Sequence, residues 1–106
     1  MKTTKELLGA RIKELRKARR LSQDHLSEKI KIDPKHLSRI EVGKSYPSLD
    51  AVERIAKALG VEMKDLFEFM HQVGSKELSE DIHRLLKDAD EERLRLILKI
   101  IRAIVH

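Results

Sequence analysis

"LSQDHLSEKIKIDPKHLSRIE", residues 21–41, decides how this chain is read. It holds two short helical patterns with very little between them. Ser22 is a natural N-cap, and Leu26 and Ile30, four apart, give the first pattern an apolar side. "KID" (31–33) is a tight connection. Asp33 can cap the second pattern, and Pro34 fits its first turn, where the missing N–H leaves no hydrogen bond unmade. Only Leu37 and Ile40 make an apolar stripe there. At about 100° per residue, Lys35, Ser38 and Arg39 point away from that stripe, with His36 on its flank. A helix this short is unstable alone and must be held by its neighbours. The stretch therefore predicts two packed helices, the second presenting Lys, Ser and Arg outward.

Charge distribution gives those outward residues a partner. The 106-residue chain carries net charge +5, and the excess is not spread evenly. Residues 1–47 hold 13 Lys/Arg against 6 Asp/Glu, net +7, whereas residues 48–106 hold 10 against 12, net −2. A cationic half containing the short presented helix is the footprint of polyanion binding. Two short helices joined by a three-residue turn, the second with cationic and hydroxyl side chains outward, describe a helix-turn-helix. Its second helix enters the major groove and needs side chains that reach base edges and phosphates.

Other function classes find little support. There is no cysteine, which excludes disulfides and thiolate chemistry and suits a reducing compartment. His25, His36, His71, His83 and His106 form no His-x-x-x-His pair, so neither a metal site nor a cofactor is expected. No Gly-rich phosphate loop or nucleophile motif appears, and the reading is not an enzyme. "MKTTKELLGARIKELRKARR" (1–20) lacks an apolar signal-peptide core, and no apolar run approaches a bilayer span. The expectation is a cytoplasmic protein with no membrane partner.

Aromatics are only 3% of residues, and the apolar content is mainly Leu, Ile, Ala and Val, which favours an all-α fold. A first helix is expected from about Thr4 to Arg20, with Leu7, Leu8, Ile12, Leu15 and Arg19 along one side and a cationic last turn. Arg11, Lys13, Arg19 and Arg20 read as a solvated basic face that steers encounter. "VGKSYPS" (42–48) is a loop, Ser48 caps "LDAVERIAKALG" (49–60), and Gly60 ends it. "VEMKDLFEFM" (61–70) is a fifth short helix. Residues 71–76 are a linker, followed by helices at about Glu77–Lys87 and Asp90–Val105.

"LSQDHLSEKIKIDPKHLSRIEVGKSYPSLDAVERIAKALGVEMKDLF" (21–67) resembles the Cro/repressor, or Xre-type, helix-turn-helix family. The likeness runs from the Leu-Ser-Gln entry through Ser-Arg-Ile-Glu and Gly-Lys to Pro-Ser-Leu and Ala-Lys-Ala-Leu-Gly-Val. With the first helix it covers about Leu7 to Phe67, roughly 60% of the chain. The resemblance implies a five-helix lambda-repressor-like DNA-binding domain over residues 1–70. It implies that Gln23 meets phosphate or the edge of the site. Lys35, Ser38 and Arg39 would face the groove of double-stranded DNA with His36 beside them, and Lys44 and Ser45 would clasp a phosphate. Arg16 and Glu41 match a structural ion pair tying the first helix to the end of the recognition helix. Three positions depart from the family pattern. Lys31 replaces the usual turn Gly, at about 1 kcal/mol if that residue needs positive φ. Ser27 replaces Ala, and Pro34 replaces a polar groove-facing residue.

The tail, residues 77–106, is the second informative segment. In "DEERLRLILKIIRAIVH" (90–106), Leu94, Ile97, Ile101 and Ile104 follow a 3-4-3 spacing flanked by Leu98 and Val105. That is more apolar surface than one seam of a small domain needs. The expectation is two C-terminal amphipathic helices that pair between chains, giving a homodimeric repressor on operator DNA. The alternative is an antitoxin or adaptor whose C-terminal helices grip a non-identical protein partner.

Overall fold

The computed structural model describes residues 2–69, 80, 83, 84, 86, 87 and 89–105, with side chains through Lys99. The described residues form six helices and no strand: α1 (Thr4–Ala18), α2 (Gln23–Ile30), α3 (Pro34–Glu41), α4 (Leu49–Leu59), α5 (Met63–Leu66) and α6 (Glu91–Val105). The expected linker at 71–76, most of the expected helix at Glu77–Lys87, and the side chains of Ile101, Ile104 and Val105 lie outside the described residues.

Five of the six helices begin on a side chain that accepts an otherwise unpaired N–H. Thr3 and Glu6 close a reciprocal capping box on α1. Ser22, Asp33 and Ser48 cap α2, α3 and α4 by accepting from His25, Lys35 and Ala51 N–H. Asp90 receives the Arg93 N–H at 2.9 Å at the head of α6, and that bond is the first cause holding its carboxyl below the usual range.

The ends of α1 to α4 share a second device. Each finishes in a left-handed residue, with a paired closure from the following N–H groups: Leu21 to Arg16 O, Ile32 to Ser27 O, Lys44 to Arg39 O and Val61 to Ala56 O. Gly43 and Gly60 supply two of those residues, at φ 82° and 68°. Arg20 and Lys31 supply the other two, at φ 57° and 56°, where a Cβ is strained. Lys31 thus has the positive φ that the family glycine would have satisfied. The same closure ends α1 at Ala18 with Arg19 as its cap, two residues before the expected Arg20.

A single apolar core joins the body. Ile12 of α1, Leu26 and Ile30 of α2, Leu37 and Ile40 of α3, Ile55 of α4 and Leu66 of α5 are all fully buried. Phe67 and Phe69 close its lower edge, their ring centroids 6.3 Å apart. Burying each of these large side chains contributes about 1.5–3 kcal/mol. Gly9 sets the distance between α1 and α3. A Cβ there would lie 2.1 Å from Ile40 O and 2.7 Å from Glu41 O, so only glycine lets the α3 backbone come this close.

Helix α6 packs on α5 and places Leu96 against the same core. Ile97, expected in a seam between chains, is 8% exposed, buried within the chain itself. Leu94 and Leu98 stay exposed, at 42% and 47%. Arg93 holds the helix from the polar side, donating to Asp50 at the start of α4 and to Asp90 at 2.8 Å. No described helix is long and apolar enough to cross a membrane.

Candidate nucleic-acid interface

The site is built on α3, which its two inward residues lock in place. Leu37 and Ile40 are fully buried against α1 and α2, and Asp33 and Pro34 begin the helix without an unpaired donor. Glu41 at its end is buried as well, and the other side chains of the helix face outward or lie half-buried. Lys35, His36 and Arg39 are exposed and Ser38 is half-buried, so all four expected groove residues are presented on one small helix. Rigid placement of this kind is what base recognition requires, since a contact to a base edge has a narrow geometry.

The following loop brings two more expected residues beside them. Lys44 is exposed and Ser45 half-buried, and Arg39 Nε points to Ser45 Oγ at 3.4 Å, a long and weak hydrogen bond. Arg39 is therefore steered toward the loop without being neutralised there. Its guanidinium has the forked geometry that matches guanine O6 and N7. Lys44 is suited to a phosphate, which asks for charge rather than shape.

Beneath this surface lies a buried polar cluster that sets the end of α3. Arg16 Nε donates to Glu41 Oε2 at 2.7 Å and Nη2 to Oε1 at 3.0 Å, with both side chains nearly excluded from water. The third guanidinium nitrogen, Nη1, donates to Leu21 O at 2.7 Å. Gln23 Nε2 donates to Glu41 Oε1 at 2.9 Å. Gln23, expected at a phosphate, is thus tied first to the structural ion pair. An amide nitrogen carries two N–H donors, and Glu41 takes one.

Two arginines of the expected solvated basic face also bond within the molecule. Arg11 donates to Asp65 O at 2.9 Å and ion-pairs with Glu14 and Glu68. Arg19 donates to Leu59 O at 2.8 Å, at the end of α4. Arg54 makes a similar bond to Ile30 O at 3.3 Å, at the end of α2. Helix ends expose carbonyls that repeat no partner of their own, and a long guanidinium reaches them. Lys13 and Arg20 remain exposed. The basic surface is therefore narrower than the charge count suggests, and α3 and its loop contribute Lys35, Arg39 and Lys44 to it. Among the described residues, no three His, Asp or Glu side chains gather in a way that could hold a metal ion.

Sequence reasoning passed over Gly9, whose role appears only when α3 is packed on it. It also passed over Lys5 and Tyr46, where Lys5 Nζ sits 5.4 Å from the ring centroid beside the loop. A lysine in a first turn and a tyrosine in a loop carry no spacing signal that would join them.

Comparison with known proteins agrees with this geometry. A family model described as Helix-turn-helix matches residues 12–66, from the middle of α1 to the end of α5. The immunity repressor protein of Bacillus phage phi105 is 41% identical over 56 residues, covering 53% of this chain and 39% of the repressor. Control protein C.BamHI of Bacillus amyloliquefaciens is 38% identical over 64 residues, covering 59% of this chain and 79% of that protein. A chain of the SinR protein/SinI protein complex superposes with a TM-score of 0.57 at 25% identity, covering 90% of this chain and 94% of that one. These relatives are regulators, a non-enzymatic class. With the matched model spanning half of the chain and α2, the tight turn and α3 set in that order, the protein belongs to the helix-turn-helix family, as a DNA-binding transcriptional regulator of the Cro/Xre type.

Proposed function

We propose that this chain acts as a repressor, binding operator DNA as a homodimer with α3 in the major groove. The observation that carries the reading is the outer face of α3. Lys35, His36 and Arg39 are exposed there beside Lys44, on a helix whose inward side is Leu37, Ile40 and Glu41. Such a face has little role within the fold and is complementary to base edges and phosphates. Arg39 reads a guanine; Lys35 and Lys44 hold phosphates; Ser38, His36 and Ser45 fill the space between. Gln23 reaches phosphate with the N–H that Glu41 leaves. A two-fold dimer would set two such helices in half-sites about 34–36 Å apart. The repressor role is supported by the name of the phage relative. A cytoplasmic location follows from operator binding.

Selection of bound genomic fragments tests this directly, because it yields motif, symmetry and half-site spacing together. A palindromic motif is expected. With about 6–10 phosphate contacts per dimer, affinity should fall roughly 10³–10⁵-fold between 50 and 200 mM salt. Arg39→Ala should cost about 1–3 kcal/mol per half-site and relax one base position. Lys44→Ala should weaken all sequences alike and lower the salt slope by about one per contact. Equal affinity for every sequence would reject operator binding, and an unchanged motif in Arg39→Ala would remove Arg39 from base readout.

A second reading rests on the exposed Leu94 and Leu98 of α6. In it the tail grips a non-identical protein, as an antitoxin or adaptor does; the likeness to a chain from a two-protein complex favours weighing it. Sedimentation separates the two. A stable dimer of the pure chain supports the repressor, and a monomer or aggregate rescued by a co-expressed protein supports the adaptor.

A further inference from the structure

The first turn of α1 and the loop after α3 form one continuous surface. A Cβ on Gly43 would lie 2.5 Å from Glu6 Cγ and 2.7 Å from Glu6 Cα, so α1 presses directly against the residue preceding Lys44. The φ of 82° at Gly43 turns the chain along that contact. On the same turn of α1, Lys5 reaches over Tyr46, two residues beyond Lys44, with Nζ 5.4 Å from the ring centroid.

The neighbouring carboxylate does not claim this lysine. Glu6 Oε1 accepts from the Thr3 N–H and the Thr3 hydroxyl, each at 3.1 Å, and those bonds also lower its pKa. Among the described residues Lys5 has no carboxylate within ion-pair distance. Glu80 lines the recess beside it, together with Thr3, Gly43 and Arg84. A cation over an aromatic face keeps its full charge and loses part of its freedom, so less ordering is left to do when an anion arrives.

We propose that Lys5, positioned by Tyr46, is a DNA phosphate contact that extends the footprint from the Lys44 loop onto the first turn of α1. The inference rests on α3 and its loop facing DNA, as argued above. It concerns the sugar-phosphate backbone alone: Lys5 lies off the groove-facing helix, and an ammonium on a flexible stem suits a phosphate as a point charge.

The test uses the full chain and a short mixed-sequence duplex, with dissociation constants taken across a salt series. Lys5→Gln should weaken binding several-fold at low salt and lower the salt slope by about one per bound protomer, with the melting temperature unchanged. Lys5→Arg should keep the slope. Tyr46→Leu should lose part of the affinity, and adding Lys5→Gln to it should cost no more than Lys5→Gln alone. An unchanged slope in Lys5→Gln overturns the proposal. So does an unchanged slope with a lowered melting temperature, which makes the lysine–tyrosine pair a fold contact only. A wild-type chain that binds no duplex removes the interface itself, a failure distinguishable from a wild type that binds while Lys5→Gln matches it.

Discussion

Helices α3 and α6 are both held to the body by very few apolar residues, yet what they show to the outside is opposite. α3 buries Leu37 and Ile40 and presents Lys35, His36 and Arg39. α6 buries Ile97, half-buries Leu96, and presents Leu94 and Leu98 among its charges. A helix needs only a narrow apolar stripe to dock, so the remaining arc is open to specify a partner. A cationic arc suits a polyanion, whereas an apolar arc suits another apolar helix. The anchoring differs in kind as well. The C-terminal end of α3 is fixed by a buried, fully bonded ion pair. α6 is fixed near its start by Arg93 and Asp50, which remain in reach of water. Buried pairs resist salt and are costly to break singly, while exposed pairs contribute about 0–1 kcal/mol.

The largest expected effect comes from breaking the α3 anchor. Glu41→Ala leaves Arg16 buried without its carboxylate and Gln23 without an acceptor, and should destabilise the fold by about 3–5 kcal/mol in denaturant melts. A loss under 1 kcal/mol would show that the end of α3 is held by packing alone. The contrast on α6 is sharper in kind than in size. Ile97→Asp places a charge at a position that the chain itself buries and should lower the melting temperature. Leu98→Asp sits on the exposed side and should leave melting of the monomer unchanged while halving the mass seen in sedimentation. If Leu98→Asp leaves the mass of a dimer intact, the exposed side of α6 is not the seam between chains. The smallest effect lies at the entry to α3. Lys31→Gly removes a strained Cβ from the turn and should stabilise the fold by about 1 kcal/mol, with no change in the selected DNA motif.

These two helices were not equally legible in the sequence. Asp33, Pro34, Leu37 and Ile40 mark α3 by start signal and spacing, and with so few apolar positions only one side could turn inward. On α6, apolar residues occupy two adjoining arcs, Leu94–Leu98 and Leu96–Ile97. Periodicity identifies both but cannot say which one is covered within the chain; Ile97 has the spacing of the expected seam and is nonetheless 8% exposed. The arginines hid in another way. Arg11 and Arg19 look like solvent charges until the carbonyl ends of α5 and α4 arrive beside them, which depends on the tertiary arrangement. Arg20 gave no sign of its positive φ, because the closure that requires it is made by backbone groups.

Gly9 touches α3 through the carbonyl oxygens of Ile40 and Glu41, not through any side chain that α3 turns outward. The seat of this helix is thus indifferent to the letters written on its outer surface. Residues 35, 36, 38 and 39 form an exchangeable cassette, and a different set of four could be grafted there to address a different DNA word without re-engineering the scaffold. The freedom has one boundary. It lasts only while position 9 carries no side chain, so a single methyl group on α1 would cost the molecule its capacity to be rewritten.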